Sequence, residues 1–178
     1  LSHMSELTEL WLDCEGVSDM SPLKGMTKLQ LLSISDASVE DGSLLEGMTD
    51  MRSLYAYYCT GLENVSMLSG MTCLEWLELR GCGITDISPL GSLTSLKSLN
   101  LRDNQISDGS ALSGLTELTE LYISGNRLTD GRFIADMSSL EILDVSNNKL
   151  TELSLSGSYP ELCYLRAQDN QLCSVDMS

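Results

Sequence analysis

The chain has 178 residues, 42% of them hydrophobic, and a formal net charge of −16 at pH 7. Its ten lysines and arginines are spread singly, which excludes nucleic-acid binding, because phosphate contacts need clustered basic side chains. No apolar run approaches the roughly 18 residues of a membrane span, and the single histidine is His3.

Residues 1–6 open with LSHM, which reads as an expression-tag scar, so a missing signal peptide carries no information about secretion. With His3 inside that scar, the commonest general base and the commonest metal ligand are both missing from the rest of the chain, and most hydrolase mechanisms go with them.

From Leu7 onward the sequence repeats. Copies start at Leu7, Leu29, Met51, Leu74, Leu96, Leu118, Leu140 and Leu162, spaced by 22 residues except for 23 between Met51 and Leu74. With each start counted as offset 0, apolar residues recur at offsets 0, 3, 5 and 10. Offsets 3 and 5, such as Leu99 with Leu101 and Leu121 with Ile123, point the same way from an extended segment. The second half of each copy adds apolar residues at offset 16 (Leu23, Leu45, Leu90, Leu112, Ile134) and offset 19 (Met26, Met48, Leu93, Leu115, Met137). One copy cannot bury these alone, so neighbours must stack into a continuous core.

The pattern resembles the leucine-rich repeat, L-x-x-L-x-L-x-x-N/C-x-L, over residues 7–178. The resemblance implies an α/β right-handed solenoid: a curved parallel sheet on the concave face and short helical or 3₁₀ turns on the convex face. ITDISPLGSLTSLKSLNLRDNQISD, with SPL at 21–23 and 88–90, is most similar to the 22-residue repeats of bacterial internalins, surface proteins that grip host receptors. Repeats of eukaryotic phosphatase-regulatory subunits are the second resemblance. In the last copies apolar residues shift to offsets 13 and 15 (Leu153 and Leu155, then Val175 and Met177), as in shorter repeats of secreted bacterial surface proteins. The chain stops inside the eighth copy without a visible cap, so it is expected to be a fragment of a longer protein, unless self-association supplies the caps.

Strand alternation assigns a direction to every aromatic residue. Trp11, Tyr55 and Tyr122 fall at offset 4 or its register equivalent, Tyr57 at offset 6, Trp76 and Tyr164 at offset 2, all outward on the concave face. Tyr58, at offset 7, sits on the rim, just before the extra residue that makes Leu62 late and should bulge the chain. Only Phe133 and Tyr159 of the nine aromatics lie elsewhere. Arg80 and Arg102 at offset 6 and Arg166 at offset 4 join them, with Glu78, Asn100, Asp144 and Gln168 around. Exposed contiguous aromatics mark interaction surfaces, and Tyr, Trp and Arg dominate binding hot spots. Cross-strand ladders that merely stabilise the sheet are the competing explanation.

Other constellations read as structural. Cys59 and Cys82 occupy offset 8, the position of Asn104, Asn126, Asn148 and Asn170 in later copies, where a buried Asn can satisfy turn backbone. Glu15 and Ala37 hold that offset in the first two copies, so the N-terminal half should be looser. Cys14, Cys73, Cys163 and Cys173 sit at unrelated offsets, and mostly free thiols are expected. The row Asp19, Asp41, Asp86, Asp108, Asp130 and Glu152 at offset 12 fits caps of the outer turns better than a calcium site.

The resulting expectation is a binding module, not an enzyme, with no cofactor or metal and no membrane insertion. Trp11, Tyr55, Tyr57, Tyr58, Trp76, Glu78, Arg80, Asn100, Arg102, Tyr122, Asp144, Tyr164 and Arg166 are the candidate contacts for a protein partner, centred on copies three to five. A glycan stacked on the rings, or burial of the face by another copy of the chain, stay open as alternatives. The internalin resemblance implies secretion or display on a bacterial surface.

Overall fold

A computed structural model describes residues 4–14, 17, 19–39, 42–155 and 159–176. Glu15, Asp41 and Met177, each given a place in the repeat above, lie outside the described residues. Along the chain run β1 (Glu9–Asp13), β2 (Leu31–Ser35), β3 (Ser53–Tyr57), β4 (Trp76–Glu78), β5 (Ser98–Asn100), β6 (Glu120–Tyr122), β7 (Ile142–Asp144), β8 (Glu152–Ser154), β9 (Tyr164–Arg166) and β10 (Ser174–Asp176).

Eight of these form one parallel sheet in the order β1-β2-β3-β4-β5-β6-β7-β9, each strand beside the next repeat's strand. The register follows the repeat, with Leu54 opposite Leu77, Leu77 opposite Leu99 and Leu99 opposite Leu121. The first six repeats return through 3₁₀ turns: Ser21–Leu23, Gly42–Leu45, Ser66–Gly70, Ser88–Ser92, Ser110–Gly114 and Arg132–Ile134. The fold is thus a leucine-rich-repeat solenoid with no long helix among the described residues. None of those helices is long and apolar enough to cross a membrane.

The core is the column of repeat-defining residues. Leu23, Leu45, Leu90, Leu112 and Ile134 are buried, as are Met26, Met48, Leu93, Leu115 and Met137. The longer third repeat adds Leu68 and Met71 to the same two columns. Its extra residue is absorbed where Ser38 and Thr60 form a bridge outside the strands, next to Gly61 in the left-handed region (φ 84). Leu62 is thereby delivered to the core.

The last two repeats depart from the first six. The convex side there carries β8 paired with β10, Leu153 opposite Val175, in place of a 3₁₀ turn. The alternation at offsets 13 and 15 is the cause: Leu153 and Leu155 are buried, with Ser154 exposed between them. Glu152, read from the sequence as a cap, is part of β8 instead.

The other carboxylates of that row do bind backbone. Asp19, Asp86, Asp108 and Asp130 each accept the N–H two residues on, at 2.8–2.9 Å, and Asn64 does the same in the long repeat. They act from one residue before the N-cap, since the N-cap residues themselves make no side-chain cap. Hydrogen bonds from Ser88 and Ser110 hold the Asp86 and Asp108 carboxyls below the usual range.

Candidate functional site

The concave sheet presents the offset-2, -4 and -6 side chains. Trp11, Ser33 and Tyr55 occupy one row across β1, β2 and β3. Because the middle residue is only a serine, the outer two rings lean together over it. Their centroids are 6.1 Å apart and their planes 16° from parallel, an offset stack. Trp11 remains 64% exposed. One row along, the Tyr57 hydroxyl is pushed up to about 12 by burial and by its hydrogen bond to Glu78. Glu78 in turn accepts from Asn100 Nδ2 at 3.3 Å.

Tyr58 is held in an unusual backbone state. Offset 7 is left-handed in every described repeat from the second to the last: Asp36, Tyr58, Gly81, Asp103, Gly125, Asn147 and Asp169 all have positive φ. Gly, Asp and Asn tolerate that state, whereas a bulky side chain there costs about 1–2 kcal/mol. Tyr58 adopts φ 53 regardless and is 48% exposed. The ring lies across Gly81, where any Cβ would collide with Tyr58 Cδ1 and Cε1. Arg80 Cζ sits 5.4 Å from its centroid.

The basic residues pair with rings and acids of this same chain. Arg80 Nε donates to Asp103 Oδ2 at 2.8 Å. Arg102 lies 4.4 Å from the Tyr122 centroid, donates from Nε to Ser124 Oγ, and reaches over two strands to Asp144 Oδ2 at 2.7 Å. Asp144 is 2% exposed. Burial opposes its ionisation, but hydrogen bonds from Ser146 and Arg102 outweigh that and hold its carboxyl below the usual range. Arg166 covers Tyr164 at 5.1 Å. Thus Arg80, Arg102 and Arg166 each stack on a neighbouring tyrosine, while the buried Asn100 and Asp144 act through Glu78 and Arg102 rather than at the surface.

Sequence reasoning missed some participants. Lys97 Nζ stands 5.8 Å from the Trp76 centroid and 2.9 Å from Glu75, which also binds Arg52. Arg52, Glu75 and Lys97 share offset 1 in consecutive repeats, so alternating charge in one column was the available signal. Asp103, the partner of Arg80, was hidden in the left-handed column.

Beneath the sheet runs a hydrogen-bond ladder. Asn104 Nδ2 donates to Leu79 O at 2.7 Å and to Leu101 O, while its Oδ1 accepts from Cys82 N and Ile84 N. Asn126, Asn148 and Asn170 repeat this with Leu101, Ile123 and Val145. Cys59 and Cys82 hold the same place with thiols, Cys82 Sγ reaching Ala56 O at 3.5 Å. The hydrogen bond to Cys59, together with burial, pushes the Cys82 thiol up, so it stays protonated. All six cysteines are free, with Cys14, Cys59 and Cys82 buried and Cys73, Cys163 and Cys173 exposed. Among the described residues no cluster of three His, Cys, Asp or Glu side chains could hold a metal ion.

Known proteins share this architecture. A family model described as leucine-rich repeats (two copies) matches residues 74–115 and again 116–160. No curated protein sequence matches the chain. Among solved structures, internalin C2 of Listeria monocytogenes is 31% identical, with a TM-score of 0.84 over 96% of this chain and 74% of its own. An internalin (inlF) of the same organism is 26% identical, with a TM-score of 0.72 over 90% of this chain. The present chain spans 58% of that protein's length. The ectodomain of the plant receptor kinase GASSHO1/SCHENGEN3 from Arabidopsis thaliana, solved in complex with Casparian strip integrity factor 2, is 26% identical. Its TM-score is 0.72, over 87% of this chain and 20% of its own.

Proposed function

This chain belongs to the leucine-rich-repeat family, with repeats of the internalin type, and on that premise we propose that it is a non-enzymatic binding module whose concave face engages a protein partner. Tyr55, Tyr57, Tyr58 and Trp76 are the anchors that lose water on contact, and Arg80 and Arg102 set the partner's orientation at the neighbouring strands. Trp11, Glu78, Tyr122, Tyr164 and Arg166 extend the contact surface, with Asn100 and Asp144 holding its polar side chains in place. The similarity to internalins supports display at a bacterial surface and a partner that is a cell-surface protein, a host receptor included.

One observation carries this reading. Tyr58 occupies a left-handed position that its equivalents fill with Gly, Asp or Asn, and is itself exposed. Such strain, where folding does not demand it, accumulates at working surfaces. The plant ectodomain's complex supports it as an example of a ligand-bound relative.

The test is retention of protein from a host-cell surface extract. Wild type and Ser113→Ala, an exposed position of the 3₁₀ turn Ser110–Gly114, should hold the same partner, while Tyr58→Ala with Trp76→Ala should lose it. A partner held equally by all three would place recognition elsewhere. If sedimentation instead shows a dimer that Trp76→Ala dissolves, the face serves self-association, and the reading fails.

A further inference from the structure

The concave rings are not used alike. Four of them carry a cation from this chain: Arg80 on Tyr58, Lys97 on Trp76, Arg102 on Tyr122 and Arg166 on Tyr164. Trp11 and Tyr55 carry each other instead. No lysine or arginine occurs at a concave position in β1, β2 or β3. Lys28, just before β2, is bound to Glu6, and Arg52, just before β3, to Glu75. Carboxylates take their place. Glu9 and Asp13 stand two residues either side of Trp11 on β1, and Asp36 follows β2 at the rim, exposed. A nearly parallel ring pair beside carboxylates, with no lysine or arginine of the described residues over it, has the electrostatics of a cation seat.

We propose that the concave face of β1–β3 receives an arginine or lysine side chain of the partner protein, seated over the Trp11–Tyr55 stack with Glu9, Asp13 and Asp36 around it. The proposal rests on the concave face being the binding face, and it names what one end of that face holds. Three features argue for this occupant. The negative ring faces attract a cation, and Trp is the strongest such acceptor. The chain's charge of −16 disfavours an acidic partner segment at any orientation. Moreover, four of the other five concave rings show that guanidinium or ammonium over an aromatic ring is how this surface pairs its rings, Tyr57 being bound to Glu78 through its hydroxyl instead. The two ends of the sheet then differ in kind. Tyr58 and the rings of the later repeats take a cation from this chain, and the Trp11–Tyr55 stack of the first three repeats leaves that role to the partner.

The experiment follows the two indole N–H signals of the intact ¹⁵N-labelled chain, Trp11 and Trp76, during titration with three probes: a tetra-arginine peptide, a tetra-glutamate peptide and chitotetraose. Tetra-arginine should move the Trp11 signal, and the other two should not. Trp11→Leu with Tyr55→Leu keeps the charge and much of the apolar area, and should weaken tetra-arginine binding about three- to thirtyfold, the loss of one or two ring–cation contacts. Glu9→Gln provides a milder second variant and should weaken it two- to threefold, roughly the effect of one screened surface charge. Unchanged affinity in the double leucine variant would mean that the peptide merely coats an acidic surface, and the inference falls. It falls also if tetra-arginine fails to bind or if chitotetraose moves Trp11 instead. Movement of Trp76 alone would overturn the cation seat while leaving a concave binding face intact, so the two readings fail separately.

Discussion

The first three repeats and the later ones solve the same backbone problem with different chemistry. In β4 to β7 the strand stops after three residues, and the carbonyl that follows, such as Leu79 O, is taken by an Asn amide at 2.7 Å. In β2 and β3 the side chains that reach the equivalent carbonyls, Ile34 O and Ala56 O, are thiols at 4.0 and 3.5 Å, and the strands run five residues. A strong side-chain donor ends strand pairing; a weak one lets it continue. The family model matches from residue 74 onward, where the Asn-bound strands begin. The divergent end is also the one with stacked, uncovered rings and no concave basic residue. One end is held by its own polar network, and the other is shaped by what it displays.

The largest test of that contrast is the ladder. Asn126→Ala strands the buried Ile106 N–H and takes one of two amide donors from each of the Leu101 and Ile123 carbonyls, and should destabilise the chain by about 1–3 kcal/mol in denaturant unfolding. Cys59→Ala removes only long thiol contacts and should cost about 1 kcal/mol or less. Equal costs would mean that the two ends are braced alike. Tyr58→Gly comes next and has the opposite sign. Relief of the left-handed strain exceeds the lost contacts with Gly81 and Arg80, so the variant should gain about 0.5–1 kcal/mol while losing partner binding. A loss of stability would show the ring to be structural.

The Arg102–Asp144 pair makes a pH-dependent difference. Because the folded Asp144 carboxyl titrates below its unfolded value of about 3.9, its contribution is present above that pH and is lost as pH falls through the folded value. Asp144→Asn should therefore lower the melting temperature at pH 7 and make little difference near pH 2. A gap that persists in acid would mean that packing, not charge, is what the substitution removes.

Most of the fold was legible because a period is a one-dimensional signal. Eight starting positions predict every strand register, from Leu32 opposite Leu54 to Leu143 opposite Leu165. What sequence could not supply was reach and handedness. Arg102 spans two strands to Asp144, a distance that only the length of an arginine and the small Ser124 between them allow. The left-handed column was written as Gly, Asp and Asn at one offset, yet Tyr58 broke the pattern that would have announced its backbone. Similarly, Cys14 appeared unrelated to the ladder but is buried at the first repeat, one position before the ladder offset. The convex strand pair β8–β10 was visible as alternation, but pairing belongs to the assembled turns. The candidate site was legible as a set of directions, and its internal ion pairs were not.

The smallest effect is also the most local. Tyr57 is placed by β3 so that burial and the Glu78 carboxylate both favour its neutral form, raising its pKa to about 12. A raised value means that the stabilisation is complete below the unfolded pKa of 10 and disappears as pH rises through 12. In an ultraviolet titration of tyrosinate absorbance, the wild-type chain should show a late component to which Tyr57, near 12, contributes beside Tyr122 and Tyr159, both also raised by burial, and Tyr57→Phe should reduce it by one tyrosine. The substitution should cost under about 1 kcal/mol at neutral pH, since only one partly exposed hydrogen bond is lost. If the late component keeps its full amplitude in Tyr57→Phe, the hydroxyl is not bound to Glu78. The polar row from Tyr57 through Glu78 to Asn100 would then no longer link the ring-bearing repeats to the Asn-braced ones.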